Sequence, residues 1–283
     1  MPVTIDPTCF DPTEIMNSGQ CFRMIPLDEC TYEVIAFSRR VALTVLDDGR
    51  IAFDCDEETF NAVWRDYFDL DTDYAAIIDS APKEDLFLGR ALSCARGLRI
   101  LRQEPWETLC GFILSQRKNI KAIRAGMESL SDAYGTPLDG THRKAFPTPQ
   151  RLAACTEAEL RQCGLGYRAP YVLDAAQKVA SGQLNLDALR DLPDPVLQAA
   201  LMLINGVGVK IADCVMLFAY RRLARAPVDV WIRRVIDDVY QGDSPFESYG
   251  DYAGVYQQYM FILQRNEGQA TLAAKKRKKH DLP

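Results

Sequence analysis

One segment of the 283-residue chain has residue types and spacing suited to chemistry on a phosphate-bearing partner: Leu203-Ile204-Asn205-Gly206-Val207-Gly208-Val209-Lys210. It follows an apolar stretch that predicts a helix from Val196 to Leu203, and it opens a second helix marked by Ile211, Val215 and Phe218. Gly206 and Gly208 let the backbone turn sharply and approach a ligand with no Cβ in the way. The second helix then offers free N–H groups at its positive dipole end, which hold a phosphate without side-chain charge and without sequence preference. Taken alone, such a turn also serves merely to close a loop between helices.

Lys210 falls in the first turn of that second helix, where the dipole disfavours an ammonium and partial burial would disfavour it further. The side chain is therefore a candidate free amine and nucleophile; the ordinary alternative is a solvated lysine. Asp229 follows Pro227 and opens the helix of Trp231, Val235 and Val239. Its bland role is an N-cap, worth about 1 kcal/mol. A carboxylate fixed there can also stabilise positive charge that develops in a reaction, and the two roles are compatible.

The elements that position these groups divide the chain in two. Val41, Leu43 and Val45 alternate, and Asp48-Gly49 supplies a hairpin turn before Ile51-Ala52-Phe53, so Tyr32 to Phe53 predicts a small antiparallel sheet. From Glu57 the spacing becomes helical, with Phe60, Val63, Trp64 and Tyr67 on one face. Thr156 with Glu159 makes a capping box, while Thr148-Pro149 and Asp194-Pro195 place a capping side chain before proline. Short gaps make Asn119 to Glu267 one compact bundle. The fold class is α+β, with a β domain over residues 1–92 and an all-α region over 93–283 that ends in a solvated basic tail at 275–279.

The composition, 48% hydrophobic and 25% charged, is that of an ordinary globular protein. No apolar run reaches the roughly 20 residues of a membrane span, and the N-terminus lacks a signal pattern, so a cytoplasmic protein is expected, nucleoid-associated if bacterial. The nine cysteines form no C-x-x-C pair, which argues against a disulfide framework, a zinc knuckle or an iron-sulfur cluster. A net charge of −6 is unusual for a DNA-binding chain. Its distribution is uneven: acids crowd the first ninety positions, while Arg117, Lys118, Lys121 and Arg124 cluster, as do Arg221, Arg222, Arg225, Arg233 and Arg234. One basic face on an acidic body is the expectation.

The hairpin, with Ile211-Ala212-Asp213-Cys214 and Pro227-Val228-Asp229, resembles the helix-hairpin-helix (HhH-GPD) DNA glycosylases, and among them the bacterial-type 8-oxoguanine DNA glycosylases. Ser18-Gly19-Gln20-Cys21-Phe22-Arg23, Leu101-Arg102-Gln103-Glu104-Pro105, Cys163-Gly164-Leu165-Gly166-Tyr167-Arg168 and Tyr252-Ala253-Gly254 are similar to further landmarks of that family, in the same order, over about residues 10 to 265. The resemblance implies a TBP-like N-terminal sheet domain and a glycosylase/AP lyase that flips oxidised guanine out of duplex DNA. It implies that Lys210 attacks the sugar C1′, passing through a Schiff base to β-elimination, and that Asp229 stabilises the developing charge. It further implies a base pocket of Gly19, whose carbonyl accepts from the lesion, Gln257 at the base edge, and Cys214 and Phe261 about the ring. Read without it, Cys214 and Phe261 are core residues.

The resemblance also implies DNA contacts at Arg117, Asn119, Tyr167, Arg168, Gly206, Gly208 and Val209, and a structural monovalent cation at the carbonyls of Met202, Ile204 and Val207. No other cofactor is expected. The chain departs from the family where the base opposite the lesion is read: Arg117 stands at a usual asparagine and Ala122 at an arginine. Arg117 fills the gap left by the flipped nucleotide or contacts a phosphate. Asn205 replaces a common proline, and Trp231 a histidine. The partner expected is duplex DNA with a damaged base, bound by a monomer. Two alternatives are a glycosylase for alkylated bases, against which Lys210 counts, and a non-catalytic hairpin module.

Overall fold

The computed structural model describes residues 2–6 and 8–280, with side chains described as far as residue 268. The basic run 275–279 belongs to the helix Ala253–His280, and its side chains lie outside the described residues.

The alternating segment folds as expected and recruits two more strands. The antiparallel sheet contains β1 (Val3–Ile5), β2 (Met24–Pro26), β3 (Thr31–Ala36), β4 (Arg39–Val45) and β5 (Ile51–Phe53), in the spatial order β1-β5-β4-β3-β2. Cross-strand pairs Met24↔Val34, Val34↔Val41 and Leu43↔Phe53 set one apolar face. That face is covered by Ile15 and Met16 of the helix Pro12–Asn17 and by Phe60, Trp64, Tyr67 and Phe68. Rings there meet edge to face, as Phe53 does with Phe60 at 5.1 Å and with Phe68 at 5.6 Å. The turn at Asp48-Gly49 closes with Gly49 at φ +83°.

A second, larger core holds the helices. The division expected at residues 92/93 falls inside the helix Leu86–Cys94, whose Leu88 and Ala91 are buried in that core, and Phe22 reaches it from the sheet side. Asp69 joins the two parts. Its carboxylate, 1% exposed, accepts from Tyr74 Oη at 3.0 Å, Arg102 Nε at 2.8 Å and Arg221 Nη2 at 3.1 Å, and Arg99 donates to its carbonyl.

Thr148 and the Thr156/Glu159 box cap their helices as read. Asp194 does not. It is itself the first residue of its helix, Asp194–Leu201, and its carboxylate pairs with Arg222 at 3.0 Å and Arg225 at 2.9 Å. With Arg221 held by Asp69, three arginines expected on a basic face are engaged in ion pairs that tie elements together.

Candidate active site

The hairpin unit forms as read: the helix Asp194–Leu201, a turn, then the helix Val209–Ala219. Gly206 has φ +79°, and a Cβ there would lie 2.4 Å from the ring of Tyr171, so both conformation and space require glycine. Gly208 is the N-cap residue and gives no side-chain cap, which leaves the amides at the helix start open to a phosphate. Val209 is 54% exposed beside them.

Lys210 and Asp229 line one cavity of about 1220 Å³, although they come from different helices. Lys210 Nζ lies 5.5 Å from the ring centroid of Phe112, which stacks on Phe218 at 5.4 Å. Buried Ile211, Ala212 and Val215 fix the helix that carries the lysine. Asp229 is the N-cap of Val230–Val239, and Oδ1 alone makes the cap, accepting from the amides of Trp231 at 3.0 Å and Ile232 at 2.9 Å. Burial pushes the Cys214 thiol up to about 11, with Lys210 lowering it and Asp229 raising it. The thiol thus lies within electrostatic reach of both groups.

The four residues of the expected base pocket separate by depth. Gly19, at φ +78°, lines the cavity, and a Cβ on it would stand 3.6 Å from Phe261, which lines it too. Cys214 and Gln257 are buried behind the lining, at 4% and 2% exposure, and Gln257 Oε1 accepts from Gln258 Nε2 at 2.9 Å. At the rim, Arg117 is exposed with φ +52°, and Asn119 caps the helix Ile120–Tyr134 through the amide of Ala122 at 2.9 Å. Both line the cavity.

Tyr167 is 44% exposed, with its hydroxyl 3.4 Å from the Gln116 carbonyl. Arg168 is placed differently from a surface DNA contact. It is 5% exposed, its guanidinium lies 4.2 Å from the Tyr167 ring, and it donates to the Gln116 carbonyl. Its charge is spent inward, supporting the residue before Arg117. At the hairpin, the Ile204 carbonyl accepts from the Val207 amide at 3.0 Å and keeps a second lone pair. The Met202 and Val207 carbonyls are, like it, hard main-chain oxygens, a donor type that suits a monovalent cation.

Lys118, Lys121, Arg233, Arg234 and Arg265 line the same cavity, with Asp229 as the one carboxylate among its described lining residues. Arg234 lies over the Trp231 ring at 5.1 Å. Phe112, Ile120 and Arg265 were not legible as site residues. Each sits in an ordinary apolar or mixed helical stretch, and only packing brings it to the cavity. Among the described residues the nine cysteines are free, and no cluster of histidine, cysteine and carboxylate is arranged to hold a metal.

A fold of this kind, with a nucleophile candidate beside a hairpin, defines a class. Residues 110–248 match the HhH-GPD superfamily of base excision DNA repair proteins, and residues 2–109 match the 8-oxoguanine DNA glycosylase N-terminal domain. The chain belongs to this family of 8-oxoguanine glycosylase-type HhH-GPD proteins. It superposes on MBOgg1, solved with a low-affinity DNA ligand, with a TM-score of 0.88 and 34% identity over 95% of this chain and 99% of that one. The 8-oxoguanine glycosylase/lyase of Clostridium acetobutylicum, bound to duplex DNA with cytosine opposite 8-oxoguanine, gives a TM-score of 0.88 and 30% identity over 95% and 98%. The N-glycosylase/DNA lyase of Saccharomyces cerevisiae is 37% identical over 191 residues, 62% of this chain and 50% of that protein, so the match spans half the length of the yeast relative.

Proposed function

We propose that the protein is a bifunctional DNA glycosylase/AP lyase that removes 8-oxoguanine from duplex DNA. The observation that carries this reading is the convergence of Lys210 and Asp229 on one cation-lined cavity beside an uncapped hairpin helix. The amides at Gly206, Gly208 and Val209 hold the DNA backbone, and the damaged nucleotide turns out of the stack into the cavity. Gly19 and Phe261 receive the base, and Cys214 and Gln257 complete the pocket from behind. Met202, Ile204 and Val207 would hold a monovalent cation, whose charge would add to the attraction for phosphate. No other cofactor enters, and the protein acts as a monomer.

Lys210 Nζ bonds to C1′ as the C1′–N9 bond breaks, and the base leaves with the bonding pair and takes up a proton. The uncapped side of the Asp229 carboxylate faces the positive charge that grows on the sugar. The sugar ring then opens to a protonated imine, and loss of a C2′ proton expels the 3′ phosphate. An alkyl-base glycosylase would have no use for Lys210, and a binding module no use for the cavity.

The imine supplies the test. Borohydride should trap a covalent adduct between the protein and a duplex containing 8-oxoguanine, and Lys210→Gln should keep binding and lose the adduct. No adduct and no free 8-oxoguanine from the unmodified protein would sink the assignment.

A further inference from the structure

The helix Ala169–Ala180 turns Tyr171, Asp174 and Lys178 toward the hairpin from one face, at the spacing of successive helical turns. The Tyr171 ring fills the space against Gly206. Asp174 Oδ2 accepts from the backbone amide of Asn205 at 2.8 Å. Lys178 Nζ is held by both Asp174 oxygens, at 2.7 and 2.6 Å, and donates to the Leu203 carbonyl at 3.0 Å. Gln116 Nε2 closes the opposite side by donating to the Gly206 carbonyl at 3.3 Å.

We infer that Asp174 and Lys178 are positioning residues, a brace that fixes the hairpin's phosphate-facing amides before DNA arrives. This rests on the DNA-binding function proposed above and extends it to residues outside the cavity. A turn with two glycines is costly to order, and side chains that order it beforehand remove that cost from binding. The brace also accounts for Asn205. A proline there would have no N–H for Asp174, whereas asparagine supplies it. Lys178 and Asp174 satisfy each other, so the ammonium serves the Leu203 carbonyl instead of reaching for DNA.

The test measures dissociation constants by fluorescence anisotropy for two duplexes, one undamaged and one bearing a tetrahydrofuran abasic analogue, with the full chain. Lys178→Met and Asp174→Ala should each weaken both duplexes by about five- to tenfold, the loss of pre-ordering being sequence-independent. The salt dependence of binding should stay unchanged, and single-turnover excision at saturating enzyme should stay within about twofold, since buried Ile211, Ala212 and Val215 anchor the helix of Lys210 independently of the brace. In Asp174→Ala, which removes the acceptor, exchange of the Asn205 amide proton should accelerate about tenfold without DNA. Asn205→Pro, which replaces the side-chain tie by a ring, should reduce the further cost of Asp174→Ala to less than about twofold. Normal binding by both Lys178→Met and Asp174→Ala would overturn the brace alone. So would a salt slope that falls by about one phosphate in Lys178→Met, which would make Lys178 a DNA contact. An unmodified protein that binds neither duplex would overturn the proposed function, and the brace with it.

Discussion

Asp229 is joined to Ile232 by a hydrogen bond of 2.9 Å from the Ile232 amide to Oδ1, the same oxygen that accepts from Trp231, so the helix cap leaves Oδ2 uninvolved. The structural and chemical duties of this carboxylate therefore fall on different atoms.

That division makes Asp229→Asn an informative change. The amide oxygen keeps the cap, so stability should move by less than about 0.5 kcal/mol. Lesion binding should hold while excision falls by on the order of a hundredfold or more, because only developing charge is affected. Parallel gel-shift, melting and single-turnover measurements check this. Asp229→Ala should in addition cost about 1 kcal/mol of stability.

Discrimination of the opposite base should be weak. Arg117 is exposed at φ +52°, Ala122 carries no polar group, and Arg168 is directed into the protein. Excision should vary by less than about tenfold, or 1.4 kcal/mol, across cytosine, adenine, guanine and thymine partners in single-turnover assays. A hundredfold preference for cytosine would mean that other residues read that base.

Asp69 is the anion on which Arg102 and Arg221 converge from distant parts of the chain. Asp69→Asn leaves Arg221 without its counter-charge, while Arg102 keeps Asp66 at 2.6 Å, and should cost about 2 kcal/mol in urea unfolding. It should leave the trapped adduct at Lys210 intact under conditions where the protein is folded.

Glu107 gives stability a pH dependence. Burial pushes its carboxyl up from 4.5 to about 8, against a smaller lowering by Arg23. The native state therefore keeps this proton over a range where the unfolded chain has released it. The associated stability is fully present below 4.5 and is lost as pH rises toward 8. Glu107→Gln should raise the melting temperature relative to the unmodified protein at pH 8, corresponding to about 2 kcal/mol, and the difference should shrink toward pH 4.5.

What the sequence made legible is local. The hairpin, the N-cap at Asp229, the Thr156/Glu159 box and the Asp48-Gly49 turn depend on neighbours a few residues apart, and each forms. Strands β1 and β2 have three residues each, too few for a period to appear, and they exist because β5 and β3 offer them edges. The fates of Arg168, Arg221, Arg222 and Arg225 depend on Gln116, Asp69 and Asp194, partners distant in the chain that no spacing rule connects. Depth in the base pocket is likewise a packing outcome. Gln257 and Phe261 share a helix face, yet one is sealed behind the lining and the other opens onto it.

The charge of the cleft differs in sign from that of the whole molecule. Lys118, Lys121, Arg233, Arg234 and Arg265 face the cavity of a chain whose net charge is −6. Near a polyanion such a body feels a torque: the duplex repels its back and draws its cleft, so that tumbling is biased before contact. Collisions in the wrong orientation are short-lived, and those in the right one arrive with the hairpin and Lys210 already facing the strand. On the proposed function, the same asymmetry would let the protein leave undamaged DNA quickly and land again cleft first.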